Sequence, residues 1–254
     1  MSWANIFTDS YIVGFVLLFF RFGSLFIAIP IFSHESIPIN VKASMAFFFA
    51  IVFYPSMPPL EISIDVPTIF LAILSELLFG LAVGVILQIA YNVITFAGGI
   101  ISHMMGFSMA SAIDPQSGIS MPIISQFLSL MGLLVLFSID LHHWILIFID
   151  GSLQKIPLGG FLMQENLFNY IINATGNMFV VGFSMAFPLV ALALLQDIIF
   201  GMLMKTMSQF NILVIGFPIK IMVGFAVLIS IFSAIMLILK SQVQEAFNIL
   251  EMFF

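Results

Sequence analysis

In 254 residues the chain carries twelve acidic and six basic side chains, 7% charged against 62% hydrophobic, with a formal net charge of -6. Soluble domains carry about 25% charged residues, so this composition excludes a water-covered fold. The six cations stand singly, which leaves no surface for nucleic acid, and the absence of cysteine excludes disulfides, thiolate metal sites and cysteine catalysis.

The first twenty residues hold Asp9 and no Lys or Arg. The basic start of a secretory signal is missing, so the apolar stretch Tyr11 to Phe32, with Arg21 inside it, is read as a retained first helix. Pro30 falls near its end, and a turn is expected over Ser33 to Pro38. A second helix is predicted from Val41 to Tyr54, stopped by Pro55, Pro58 and Pro59. Pro67 opens a third. From Leu77 to Ile113 no charge occurs over 37 residues, which exceeds the roughly 20 residues of one straight span. An interruption at Gly98-Gly99 therefore predicts two helices.

Asp114-Pro115-Gln116-Ser117-Gly118 predicts a turn, because proline disfavours helix at the residue before it and glycine permits positive φ. Another uncharged run covers residues 115 to 139, closed by Asp140 and the pair His142-His143. A polar connection is expected beyond it, through Asp150, Lys155, Pro157, Gly159-Gly160 and Glu165. The run from 166 to 196 contains Pro188 and is read as two helices, or one kinked helix, continuing to about Lys205. After polar residues around Ser208 to Asn211 and Gly216 to Pro218, a last helix is expected from Lys220 to Phe247. The final third thus reads as a helical hairpin. Single lysines fall on most connections, so the positive-inside rule gives only a weak orientation.

Charges inside apolar helices cost several kcal/mol unless paired or hydrated, which singles out Arg21 and Glu76. Each is read as a contact between helices or subunits, against snorkelling to an interface for Arg21. Adjacent histidines on a helix point about 100° apart, so His142 and His143 are not expected to share a metal as an i, i+4 pair would. The cluster they form with Asp140 reads as a polar helix end. The segment Gly98 to Pro115 is rich in small residues and methionines, which suits either a deformable constriction or ordinary close helix packing. No nucleophile elbow, nucleotide loop or other catalytic constellation emerges, so neither an enzyme nor a cofactor is expected.

Four blocks in order resemble the FliR/SctT family, the export-gate membrane proteins of type III secretion. They are Arg21-Phe22-Gly23 with Pro30-Ile31-Phe32-Ser33, Ile37-Pro38 and Val41-Lys42; Glu76 with Gly80, Gly84, Ala97-Gly98, Gly106-Phe107-Ser108-Met109-Ala110 and Asp114-Pro115; Asp140-Leu141-His142-His143 with Ser152 and Pro157; and Gln209-Phe210-Asn211 with Gly216-Phe217-Pro218-Ile219-Lys220 and Gly224. The chain departs from the family in having Lys205 where Arg is frequent, Ser208 where Pro is, and Leu141 where Gly is.

The resemblance implies an all-α polytopic protein of long, kinked helices and hairpins, packed in a helical hetero-oligomer. It implies a FliP-like region over residues 1–187 and a FliQ-like hairpin over 188–254. The implied partners are FliP-like and FliQ-like membrane subunits, an FlhB-like switch protein and unfolded export substrates. The implied place is the bacterial inner membrane at the flagellar basal body, and the implied role is a structural subunit of the export pore. Gly106, Phe107, Ser108, Met109, Asp114, Pro115 and Gly118 are the plug candidates. Arg21, Glu76, Lys205, Gln209, Asn211, Pro218 and Lys220 are the assembly candidates. The competing expectation from a different class is a secondary transporter with a small-molecule site at broken helices.

Overall fold

A computed structural model of the chain describes residues 9–33, 37–60, 65–107, 122–207 and 212–253. They form eight α-helices and no strand among the described residues: α1 (Asp9–Ala28), α2 (Pro30–Ser33), α3 (Ile39–Phe53), α4 (Val66–Met104), α5 (Ile123–Ser138), α6 (Leu141–Lys155), α7 (Glu165–Thr206) and α8 (Phe217–Phe253). Five helical stretches are long and apolar enough to cross a membrane, six if α5 and α6 count as one bent span. The chain is a polytopic helical membrane protein by this architecture.

Local chemistry sets most boundaries. Asp65 caps α4, its carboxylate accepting from the Thr68 amide at 3.3 Å and the Thr68 hydroxyl at 3.0 Å. α3 tightens into a 3₁₀ turn over Tyr54–Ser56, where Pro55 enters. α7 runs through Pro188 as one helix of 42 residues.

Two expectations are corrected. Gly98-Gly99 does not break α4, which continues as one helix of 39 residues. A Cβ on Gly98 would lie 2.6 Å from the Ser125 Cα, so this glycine admits the backbone of α5 rather than bending its own. The connection expected after His143 is instead α6. Its buried residues Leu141, Ile145, Ile149 and Leu153 recur every four positions, a helical stripe that Asp150, Gly151 and Lys155 interrupt in composition but not in phase.

The chain divides into two compact units, neither continuous in sequence. One comprises residues 1–90, 136–174 and 243–254; the other comprises 91–135 and 175–242. The first has its core where α1, α3 and α4 meet. There Leu17, Leu18, Phe22, Leu25 and Phe26 are sealed from solvent with Ala46 and Ala50. The rings of Phe22, Phe26, Phe49 and Phe53 form a cluster with centroids 5.2 to 6.4 Å apart. In the second, Val93, Ile94, Ala97 and Ile101 of α4 are buried, as are Ala186 and Leu189 of α7 and Ile235 and Leu239 of α8.

Apolar surface remains outside both cores. Phe47, Phe48, Ile51 and Val52 of α3 are each at least half exposed, as are Ile198 on α7 and Met222 and Ile229 on α8. At 1.5 Å per residue, α4, α7 and α8 reach about 55 to 65 Å, roughly twice the 30 Å of a hydrocarbon core. Lipid alone does not match that length.

Candidate functional site

Arg21 and Glu76, singled out separately in the sequence, meet inside the first unit. What brings them together is a crossing of α1 and α4 with almost no side chains between. A Cβ on Gly80 would lie 1.9 Å from the Ser24 Oγ, and one on Gly84 would lie 2.1 Å from the Ala28 Cβ. Two small residues four apart on each helix thus interlock, the geometry by which apolar helices approach closely. Glu76 precedes Gly80 by one helical turn and Arg21 precedes Ser24 by nearly one, so both project into the same gap.

There the guanidinium donates to both carboxylate oxygens, from Nε and, at 3.0 Å, from Nη2. Neither side chain is exposed at all. The Gly159 amide also donates to Glu76 Oε1 at 2.6 Å, from a residue with φ +77 that only glycine adopts readily. The guanidinium carbon lies 4.5 Å from the centre of the Phe79 ring. Ser75 Oγ donates to the Phe161 carbonyl at 2.8 Å. One ion pair therefore clasps α1, α4 and the turn after α6. The sequence marks Gly159 only as part of a polar connection and does not single out Ser24 or Phe79, because only the tertiary crossing brings them to the pair.

The plug candidates begin where α4 ends. The Gly106 amide donates to the His103 carbonyl at 3.0 Å and the Phe107 amide to the Ser102 carbonyl at 3.1 Å, with Gly106 at φ +88. This paired closure around a left-handed glycine is a Schellman motif. The end so formed lies against the start of α8. A Cβ on Gly106 would lie 3.0 Å from the Phe217 ring, Phe107 meets Phe225 edge-on at 6.1 Å, and Gly224 accommodates Met105. Ser108, Met109, Asp114, Pro115 and Gly118 lie outside the described residues.

Beyond them α5 is fastened back onto α4. Ser125 Oγ donates to the Thr95 carbonyl at 2.7 Å, Tyr91 Oη to the Ser129 carbonyl at 2.7 Å, and the Thr95 and Ser129 hydroxyls lie 3.0 Å apart.

Among the assembly candidates of the C-terminal hairpin, Lys220 donates to both oxygens of Asp197, at 2.7 and 2.9 Å. This joins α8 to α7. Asp197 went unremarked in the sequence because it only marked the end of an uncharged run. Lys205 and Pro218 are exposed, and neither is brought to that pair. Gln209 and Asn211 lie outside the described residues.

The polar cluster at the start of α6 differs from expectation. The rings of His142 and His143 do not diverge; their centres are 4.2 Å apart. His143 Nδ1 lies 3.4 Å from Asp140 Oδ1. Asp140 precedes the helix in a left-handed conformation, φ 57 and ψ 31, which folds its carboxylate toward the first helical turn.

Residues 12–246 match the model of a protein family described as bacterial export proteins, family 1. The chain is 35% identical over 232 residues to a flagellar biosynthetic protein FliR of Bacillus subtilis, covering 90% of this chain and 89% of that protein. The flagellar biosynthetic protein FliR of Escherichia coli is 29% identical over 222 residues, 87% and 85% of the two chains. That of Aquifex aeolicus is 24% identical over 252 residues, 97% and 95%.

Proposed function

Because the chain belongs to the bacterial export proteins, family 1, we propose that it is a structural subunit of the flagellar protein export apparatus. The family match over residues 12–246 carries this reading, and the names of the relatives make the apparatus flagellar. In the finer form proposed, the chain joins FliP-like and FliQ-like subunits and an FlhB-like switch protein to build the pore for unfolded substrates. The site is the bacterial inner membrane, at the basal body.

Two features of the helices support a shared assembly. α4, α7 and α8 are roughly twice as long as a hydrocarbon core is thick. Large apolar side chains on α3, α7 and α8 are at least half exposed among the described residues, and neighbouring subunits of the same apolar character would cover them. Structural membership requires no chemistry from side chains, in keeping with the proposal that the protein is not an enzyme.

Within this reading, Arg21 and Glu76 serve assembly by shaping the subunit rather than by reaching a neighbour, since their charges are satisfied against each other. Lys220 serves by fixing the α7–α8 hairpin through Asp197. Lys205 and Pro218, exposed at the end of α7 and the start of α8, are proposed to contact neighbouring subunits. The division into a FliP-like region over 1–187 and a FliQ-like hairpin over 188–254 belongs to the same proposal. So does the gate role of Gly106 to Gly118, supported at its near edge by the packing of Gly106 and Phe107 on α8.

Purification tests the reading. A tagged chain extracted in mild detergent is expected to bring with it several copies of two smaller membrane proteins, in a complex of defined mass. A chain that is recovered as a stable homo-oligomer and binds a small solute would instead be a transporter.

A further inference from the structure

The cluster at the start of α6 plays no part in the export reading. Asp140, His142 and His143 each present one ligand atom, and the three atoms lie within 4.8 Å of one another. A polar helix end leaves two of their features without a cause. Asp140 occupies the capping position of α6, yet its side chain caps no amide, although an aspartate there ordinarily would. His142 Nδ1 is shut off from solvent and has no hydrogen-bond partner among the described residues, which costs about 1 to 3 kcal/mol for a buried polar atom.

The spacing of Asp140 and His143 suits an ion better than a hydrogen bond. Asp140 Oδ1 and His143 Nδ1 stand 3.4 Å apart, beyond the 2.7 to 3.2 Å of a well-formed N–H···O bond. Two ligands of one tetrahedral Zn²⁺, each about 2.0 to 2.1 Å from it, stand roughly 3.4 Å apart. The His143 and Asp140 side chains are 62% and 66% exposed, so an ion reaches them from solvent.

We propose that Asp140, His142 and His143 bind a divalent transition metal of the zinc class. Two imidazoles and a carboxylate favour Zn²⁺ and its borderline neighbours over Mg²⁺ or Ca²⁺, which prefer all-oxygen sites. Three protein ligands leave one position for water or for a side chain of another subunit. The ion ties the left-handed Asp140 to the first turn of α6 and holds a ring nitrogen of His142 with them. This site stands or falls independently of the export reading.

The test uses the full-length chain, purified from membranes with whatever accompanies it, stripped with a chelator and titrated with Zn²⁺ against a chromophoric zinc indicator. One Zn²⁺ per chain is expected. His143→Ala and Asp140→Asn each weaken it by at least about tenfold, a loss that even changes to outer-shell partners produce. His103→Ala, on α4, leaves it unchanged. Zn²⁺ binding that is equal in the parent and His143→Ala, or that falls equally in His103→Ala, overturns the site. A second measurement needs no variant: Co²⁺ added to the stripped parent should give the intense visible absorption of a four-coordinate ion. A spectrum of hydrated, six-coordinate Co²⁺ alone overturns the proposal as well.

Discussion

The guanidinium of Arg21 and the carboxylate of Glu76 close on each other where no solvent reaches either side chain, and a third donor, the Gly159 amide, completes the carboxylate. Removing one partner from a buried pair strands the other charge, at about 3 to 5 kcal/mol, whereas replacing both with apolar groups can be neutral. Arg21→Ala and Glu76→Ala are therefore expected to lower the thermal stability of the purified protein sharply. Arg21→Met combined with Glu76→Gln, which removes both charges and leaves the Gly159 amide an acceptor, should recover more than half of the loss. Thermal unfolding in detergent reads this directly, and single variants as stable as the parent would show that the pair is not what holds α1 to α4.

Neighbouring glycines should answer differently to the same substitution. Gly98→Ala drives a methyl into the Ser125 backbone, whereas Gly99 meets none of the described residues within 4 Å. The first should cost about 1 to 3 kcal/mol through overpacking. The second should be neutral or stabilising by up to about 1 kcal/mol, since alanine favours helix over glycine. Equal melting temperatures for the two variants would contradict the close approach of α4 and α5.

The pair Asp197–Lys220 is partly open, with Asp197 52% exposed and Lys220 14%. In water such a pair contributes about 0 to 1 kcal/mol, and cover by lipid or subunits raises that. Lys220→Asp should impair motility and complex recovery, and adding Asp197→Lys should restore both. If the exchanged pair is no better than the single change, the bridge does not set the hairpin register.

Gly106 carries a positive φ with the Phe217 ring close behind it. Asparagine tolerates left-handed backbone better than alanine, and β-branched residues tolerate it least. Motility and resistance of the α4 end to protease should decline from Gly106 through Asn and Ala to Val. A flat series would mean that the Schellman closure is dispensable.

How much of this was legible follows from how far apart the partners are. Arg21 and Glu76 stand out because a charge is conspicuous in an apolar run, and helix character is plain from the length of those runs. Their pairing is not readable, because 55 residues separate them and only the Gly80 and Gly84 crossing brings them together. Gly98-Gly99 is ambiguous in the sequence, because glycine signals a break and a close approach with the same letter. α6 is obscured in the sequence because Asp150, Gly151 and Lys155 dilute its composition, although the four-residue stripe of Leu141, Ile145, Ile149 and Leu153 marks it as helix. The approach of the two histidine rings is not legible, because the helical angle fixes only where the side chains start and their rotation brings the rings to 4.2 Å.

The clasp also bears on the order of events in the cell. Its charges and the Gly159 amide all come from one polypeptide, so they are settled as soon as residues up to the turn after α6 have been made. The two charges at this crossing are then paired with each other, and what the chain still lacks is apolar company. Lipid can cover only the part of that apolar surface that a hydrocarbon core of about 30 Å reaches, and the remainder of the long helices calls for protein.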